Sequence, residues 1–404
     1  MPDTDEIQSL LANALERLDG FVALHSLERL SGGASQATYR LRVAMVDGER
    51  SLALRRSVGP AGERGFGGPG LAVEARLMGL ARRAGVPGPE VHMALRPEDG
   101  LGEGFVMEWV EGESIGSRIN RSDELASARA GLAGECGRAL ARIHAIDLDS
   151  TGLNDALHEV DPAEEVRQTW ERYKGFHSPQ PMIDFTARWL LDHLPPEGES
   201  ALVHGDFRNG NLLVAPTGMA AVLDWEIAHI GDPMRDLGWL CTASWRFGHP
   251  EKPVGGFGSY EDLFAGYEAE SGRAVDPAHV RFWEVFGSFW WSVGCLGMAD
   301  QYRSGPDRSV ERAAIGRRSS ECQVDCVNLL IPGPVVGVVR EGGDDGLDLP
   351  RVDELVESVS GYLRSEVVPA MDGRTGFLAR VAANSLDIVG REMEYGAEAR
   401  RLEA

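Results

Sequence analysis

Apolar and polar positions alternate differently along three stretches of the chain, and the change of period divides it into a strand-rich front, a helix-rich middle and a helical tail. "DEIQSLLANALERL" places Ile7, Leu10, Leu11, Ala14, Leu15 and Leu18 at helical spacing behind an acidic first turn, which predicts an amphipathic docking helix. Residues 21–56 alternate apolar with polar positions around the turn signals "SGG" and "DG", which predicts strands joined by tight turns. Residues 57–70 hold six Gly and two Pro and read as a loop. "LAVEARLMGLARRAG" returns to helical spacing and is stopped by Gly85 and Pro87. "GFVMEWVEGES" reads as a strand entering a turn at Gly112. From about 120 the period is helical, interrupted by short apolar runs at 200–203 and 212–214 and by "AAVLDWE". The Gly-, Pro- and Asp-rich stretch 332–348 reads as a linker. Beyond it two helices are expected, at about 351–368 and 374–394, the second with Leu378, Val381, Ala382, Leu386, Val389 and Met393 on one face.

Composition narrows the partners. A chain of 404 residues with a net charge of −23 repels nucleic-acid backbones and anionic membranes, so neither is an expected partner. Five scattered Cys without a CxxC pair read as free thiols of a reducing compartment rather than as a zinc site. The N-terminus lacks a basic-then-apolar signal, and the longest nearly apolar stretch, 285–298, is too short to span a bilayer; a cytoplasmic protein is expected. Of 40 basic residues only Lys174 and Lys252 are lysines.

One polar loop stands out against this background. "HGDFRNGN" (204–211) lies between two apolar runs, where unpaired polar groups would cost a few kcal/mol each. The following "LLVAPTGMAAVLD" predicts two strands turning at Pro216-Thr217-Gly218, which would fold Asp224 back beside Asn211. With Asp206 this brings together two carboxylates and an amide oxygen, the hard donors that Mg²⁺ prefers while leaving room for phosphate oxygens.

The spacing of His204-Gly205-Asp206, Asn211 and Asp224-Trp225-Glu226 matches the kinase order of catalytic Asp, Asn and metal-binding Asp. "HGD…N…DWE" with "GDPMRDLGWL" resembles the aminoglycoside phosphotransferase and choline-kinase-like family, in particular the phosphotransferases related to the domain fused to some acyl-CoA dehydrogenases. The resemblance covers roughly residues 20–331. It implies an α+β, protein-kinase-like two-lobed fold: a strand-rich nucleotide-binding lobe over 1–112 with its leading helix, and a mainly helical catalytic and acceptor-binding lobe over 113–331. A linker over 332–348 and a small helical tail domain over 349–404 complete the expected order.

The resemblance also implies roles. Asp206 would orient and deprotonate an acceptor hydroxyl, and Asn211 and Asp224 would hold Mg²⁺ on the phosphates of ATP. "LSGGASQATYRLRV" would form the flap over those phosphates, turning at Gly32 and Gly33. "LALRR" aligns with the kinase strand that carries a lysine, so Arg55 replaces that cation and Glu74 on the next helix is its candidate partner. "VMEWVEG" resembles the hinge whose backbone, at Glu108 and Val110, grips adenine. His204 is expected to anchor the loop, and Asp232 and Asp236 to brace it or cap the next helix. The acceptor is expected to be a small hydroxylated molecule, a hydroxyacyl thioester among the candidates; both faces of the aromatic stretch "RFWEVFGSFWWSVG" are expected to be core, the alternative being that Trp283, Gly287, Trp290 and Gly294 wall the acceptor. The tail resembles a helical domain of uncharacterised role found with this family, and would pack on the kinase body or on a second subunit in a homodimer. Two alternatives stay open: a non-catalytic nucleotide-binding scaffold, favoured by the missing lysine, and a metal-dependent phosphohydrolase built from His204, Asp206, Asp224, His229 and Asp232.

Overall fold

The computed structural model describes residues 4–30, 36–57, 68–305, 308–331, 333–334, 350 and 352–403. The chain divides into two compact units, Met1–Arg167 with Arg188–Ser288, and Gln168–Ala187 with Phe289–Ala404.

The first unit opens with α1 (Thr4–Leu15), then β1 (Phe21–Arg29), β2 (Gln36–Met45), β3 (Gly48–Ser57), α2 (Leu71–Arg83), β4 (Val91–Ala94) and β5 (Gly104–Glu108). The five strands form one antiparallel sheet in the order β1-β2-β3-β5-β4. Strand alternation sorts β3 between two cores. Leu52 and Leu54 face α1, where Ile7, Leu11, Ala14 and Leu15 are buried with Leu41, Val43 and Val106. Ala53 faces the other way, packing with Phe105, Met107 and the α2 residues Leu71, Ala75 and Met78. Arg55, two residues on, shares the Ala53 side, as the sequence pattern requires.

The helical lobe of this unit follows: α3 (Gly116–Arg121), α4 (Ala126–His144), the start of α5 (Pro162–Lys174), the end of α6 (Pro181–Asp192), β6 (Ala201–Val203), β7 (Leu212–Ala215), β8 (Gly218–Val222), β9 (His229–Gly231), α7 (Met234–Cys241), α8 (Tyr260–Ser271) and α9 (Pro277–Ser304) up to Ser288. α4 and α8 cross where neither has a side chain: a Cβ on Gly137 would press on the Tyr267 backbone N at 2.6 Å, and one on Gly266 on the Gly134 Cα at 2.8 Å. β7 and β8 are the expected hairpin, pairing Leu212 with Val222 and Ala215 with Gly218. The strand expected through "AAVLDWE" ends at Val222, because Asp224 turns into the left-handed region at φ 67°. Trp283 and Gly287 do not form an acceptor wall. Trp283 is 1% exposed and lies against Gly238 of α7, while a Cβ on Gly287 would meet Trp239 and Thr242, so α9 is core at these two positions.

The second unit contains the remainder of α5, α6 and α9, then α10 (Val310–Arg317), α11 (Ser319–Leu330), α12 (Val352–Tyr362), a π-helical turn (Leu363–Val367), α13 (Val368–Ala370) and α14 (Gly373–Glu403). Residues 289–331 fall in the same compact unit as the tail helices. Ion pairs Arg317–Glu392 at 2.6 Å and Glu311–Arg374 at 2.7 Å tie α10 to α14. The face of α14 also differs from expectation: Gly376, Ala379 and Ala383 are its buried positions, whereas Val389 and Met393 are 45% and 44% exposed. Small residues let α12 approach closely, and Ser360 donates to Asp387 Oδ1 at 2.6 Å and to the Ala383 carbonyl at 3.4 Å. Most of the expected linker lies outside the described residues. Among the described residues all five cysteines are buried and free, and no helix is long and apolar enough to cross a membrane.

Candidate active site

Two short antiparallel pairs position the polar loop. β6 pairs with β9, Val203 opposite His229, and so joins the residues before the loop to those after "DWE". The β7–β8 hairpin then returns the chain, and Leu223 donates its N–H to the Asn211 carbonyl at 2.8 Å, which sets Asp224 beside Asn211. Asn211 Nδ2 donates to the Asp206 carbonyl at 2.9 Å and to its Oδ2 at 2.6 Å, so the amide oxygen is the end left for another ligand. Arg208 forks onto Asp206 through Nε at 2.9 Å and Nη2 at 3.1 Å, and Trp239 Nε1 adds a bond to Asp206 Oδ1 at 2.8 Å.

Behind this layer is a buried brace. Asp236, fully buried on α7, accepts the backbone N–H groups of His204 at 2.8 Å and Gly205 at 2.9 Å, and pairs with His144 Nε2 of α4 at 3.1 Å. Burial works against its charge, but the bond and charge of His144 and the His204 contacts outweigh it and hold the carboxyl down at about 2. His204 Nδ1 accepts the Asp206 N–H at 3.2 Å, so Nε2 carries the proton and donates to the Leu223 carbonyl at 3.1 Å. Burial lowers the affinity of this imidazole for a second proton. Arg235 clamps the Gly205 carbonyl at 2.8 Å and Glu165 at 2.9 Å, and His229 Nε2 lies 2.9 Å from the other Glu165 oxygen. Burial again opposes ionisation at Glu165, and Arg235 and His229 overcome it, holding that carboxyl at about 2.

Arg55 reaches across from β3. Its Nη2 donates to Asp224 Oδ1 at 2.5 Å, and its Nε lies 3.0 Å from Glu74 Oε1 on α2 without the alignment of a hydrogen bond. Glu74 is 2% exposed; burial pushes its carboxyl up to about 8 despite the pull of Arg55. Burial, reinforced by the Asp224 charge, likewise pushes Glu226 up to about 7. At the expected hinge the Glu108 N–H is taken by the Glu90 carbonyl at 2.8 Å and the Trp109 N–H faces the Ser51 carbonyl at 3.4 Å. Val110, next in line, has no backbone partner among the described residues. A groove of about 630 Å³ follows the hinge, lined by Glu111, Glu113, Arg118, Arg121 and Val214 among others. Gly32 and Gly33, the expected flap turn, lie outside the described residues.

Asp206, Asn211, Asp224, Arg55 and Glu74 thus come together. His229 and Asp232 do not join them: His229 faces Glu165, and Asp232 pairs with His279, accepts from Trp283 Nε1 at 2.9 Å and caps the N-terminal turn of α7 through Met234 N–H at 2.9 Å. Among the described residues no group of three or more His, Cys, Asp or Glu could hold a metal. The carbonyl end of Asn211 and the Asp224 carboxylate are instead a two-ligand oxygen set, which fits Mg²⁺ that keeps waters and phosphate oxygens for the rest of its shell. Sequence reading passed over Arg208, Trp239, His144 and Glu165. Arg208 and Trp239 stood inside the quoted segments, whereas His144 and Glu165 are distant in the chain and carry no local signal.

Residues 26–273 match the model of the phosphotransferase enzyme family, and residues 369–404 match that of a domain of unknown function. Among curated proteins the chain is 31% identical over 261 residues to acyl-CoA dehydrogenase family member 10 of Mus musculus, covering 60% of this chain and 23% of that one. It is 28% identical over 249 residues to family member 11 of Rattus norvegicus, covering 58% and 31%. The chain therefore spans about a quarter to a third of the length of these relatives. A Ralstonia eutropha structure named for an aminoglycoside phosphotransferase superposes with a TM-score of 0.62 at 23% identity, covering 80% of this chain and 97% of that one. A choline/ethanolamine kinase family protein of Mesorhizobium loti gives 0.53 at 20% identity, covering 81% and 95%. A spectinomycin phosphotransferase solved with ADP and spectinomycin gives 0.53 at 12% identity, covering 80% and 98%. These superpositions establish the kinase-like, two-lobed α+β fold.

Proposed function

Because this chain belongs to the phosphotransferase enzyme family, we propose that it moves the γ-phosphate of Mg-ATP to a hydroxyl of a small molecule. The observation that carries the reading is the convergence of Asp206, Asn211 and Asp224, with Arg55 bonded to the last of them.

Phosphoryl transfer asks for little covalent work from a protein and much positioning and charge neutralisation. Asp206 is the group that would orient the acceptor hydroxyl and take its proton. Asn211 and Asp224 would hold Mg²⁺, whose contribution is to neutralise phosphate charge. Arg55 cannot lose its proton and presents a planar fork, which suits it to phosphate oxygens where most kinases use an amine. Glu74 steadies that fork from behind. The Val110 N–H and the Glu108 carbonyl would meet the adenine edge, with Gly32 and Gly33 as the flap above the phosphates. The acyl-CoA dehydrogenase names of the curated relatives favour a hydroxyacyl thioester as the acceptor.

Calorimetric titration of ATP with and without Mg²⁺ into the wild type and Asp224→Ala tests the clamp. Magnesium-dependent binding that the substitution removes is the expected result. A folded wild type that binds no nucleotide overturns the reading.

A further inference from the structure

The Asp206 carboxylate has no direction left for a substrate. Arg208 Nε and Trp239 Nε1 occupy Oδ1, and Arg208 Nη2 and Asn211 Nδ2 occupy Oδ2. An ionised carboxylate offers about four lone-pair sites, so these four donors fill it. A base must come within about 3 Å of the oxygen it deprotonates, and here one donor has to leave first. Trp239 and Asn211 are 4% and 6% exposed and are fixed by α7 and by the strand ladder. Arg208 is the mobile candidate, with its side chain 25% exposed. Its guanidinium carbon lies over the Trp245 ring, 4.3 Å from the centroid, and its bond from Nη1 goes to the Asn209 carbonyl at 2.8 Å. Sliding over an indole face keeps the cation–π contact while the fork changes partner.

A guanidinium leaves one carboxylate most readily for another planar or tetrahedral oxyanion. We infer that Arg208 is a latch on Asp206 which an anionic group of the acceptor draws away, so that the acceptor carries a carboxylate or phosphate near its reacting hydroxyl, as a free hydroxy acid does and a hydroxyacyl thioester, with its carboxyl neutralised by sulfur, does not; on this point the inference departs from the acceptor that the relatives' names favour. The inference rests on the phosphotransfer reading of the same site. With the latch open, Asp206 accepts the hydroxyl proton as that oxygen bonds to the γ-phosphorus. The bond from phosphorus to the β–γ bridging oxygen breaks, and its electron pair departs on ADP. With the latch shut, water is not activated either, and ATP is spared from idle hydrolysis. Arg208 is also a positive point in a chain of net charge −23, which otherwise discourages anions.

The test needs no identified acceptor. ADP release from Mg-ATP is followed in the wild type, Arg208→Gln and Arg208→Lys, with sodium acetate or, at matched ionic strength, sodium chloride. Acetate should raise hydrolysis in the wild type, and chloride should not. Arg208→Gln should hydrolyse ATP about tenfold faster than the wild type in chloride and ignore acetate, with Arg208→Lys in between. Equal or lower hydrolysis in Arg208→Gln, or acetate acting alike on all three, overturns the latch. Calorimetry with Mg-ATP separates the two failures, since retained magnesium-dependent binding leaves the phosphotransferase reading standing. Matching melting temperatures exclude unfolding of the variants.

Discussion

Arg55 stands between Glu74 and Asp224, and the two carboxylates ask different things of it. Replacing it with Lys keeps the charge but gives up the fork, so one contact is lost. Arg55→Lys should weaken Mg-ATP binding by about 1–2 kcal/mol, and Arg55→Ala by more, since it removes the positive charge as well as the fork. Titration calorimetry reads both. The raised carboxyls have a pH consequence whose sign is fixed. A folded state that holds its protons more tightly than the unfolded chain is favoured in acid. The contribution of Glu74 is complete below about 4.5 and is lost as pH rises through about 8, and that of Glu226 is lost through about 7. The melting temperature should therefore carry a downward component from pH 5 to 8, and Glu74→Gln should flatten it. The triad Asp206, Asn211 and Asp224 was legible in the sequence because a hairpin turn fixes it locally. The saturation of Asp206 was not, because it depends on where one arginine and one indole from α7 come to rest.

At the scale of elements the fold depends on close approach. Gly137 and Gly266 let α4 meet α8 backbone to backbone, and α4 carries His144 to the brace behind the catalytic loop. Gly137→Ala should cost about 1–3 kcal/mol and lower the denaturation midpoint, with the loss of nucleotide binding following from displaced His144. A glycine in a helical stretch gives no sign in the sequence of what it touches, so this crossing could not be read there. The same holds for α14, where apolar periodicity pointed to Val389 and Met393 but close packing chose Ala379 and Ala383. Where period and turn chemistry agreed, as in α1, α2 and the β7–β8 hairpin, element and face were both readable. Asp236→Asn should be the most damaging of the brace substitutions, because a neutral amide cannot serve two backbone donors and His144 at once. Circular dichroism against denaturant separates a folded, inactive variant from an unfolded one. In the wild type the Asp236 and Glu165 contributions are present above about pH 4.5 and are lost as pH falls toward about 2, which places the acid limit of stability in that window.

For the whole molecule the dominant number is the charge of −23. An anionic nucleotide approaches against that field, so its association rate should increase with added salt over the range in which the Debye length shrinks from about 30 Å to about 10 Å. Stopped-flow measurement of nucleotide binding from low to physiological ionic strength shows the direction. The near absence of lysine, with only Lys174 and Lys252 in 404 residues, was legible from the first line of the sequence. Its consequence concerns how such a protein is noticed. Reactive acyl-phosphate derivatives of ATP tag nucleotide sites by acylating a nearby amine, and neither lysine belongs to the group around Asp224, where a guanidinium stands instead. If Asp224 and Arg55 hold ATP as proposed, surveys of cell extracts that depend on that tag are expected to pass over this protein.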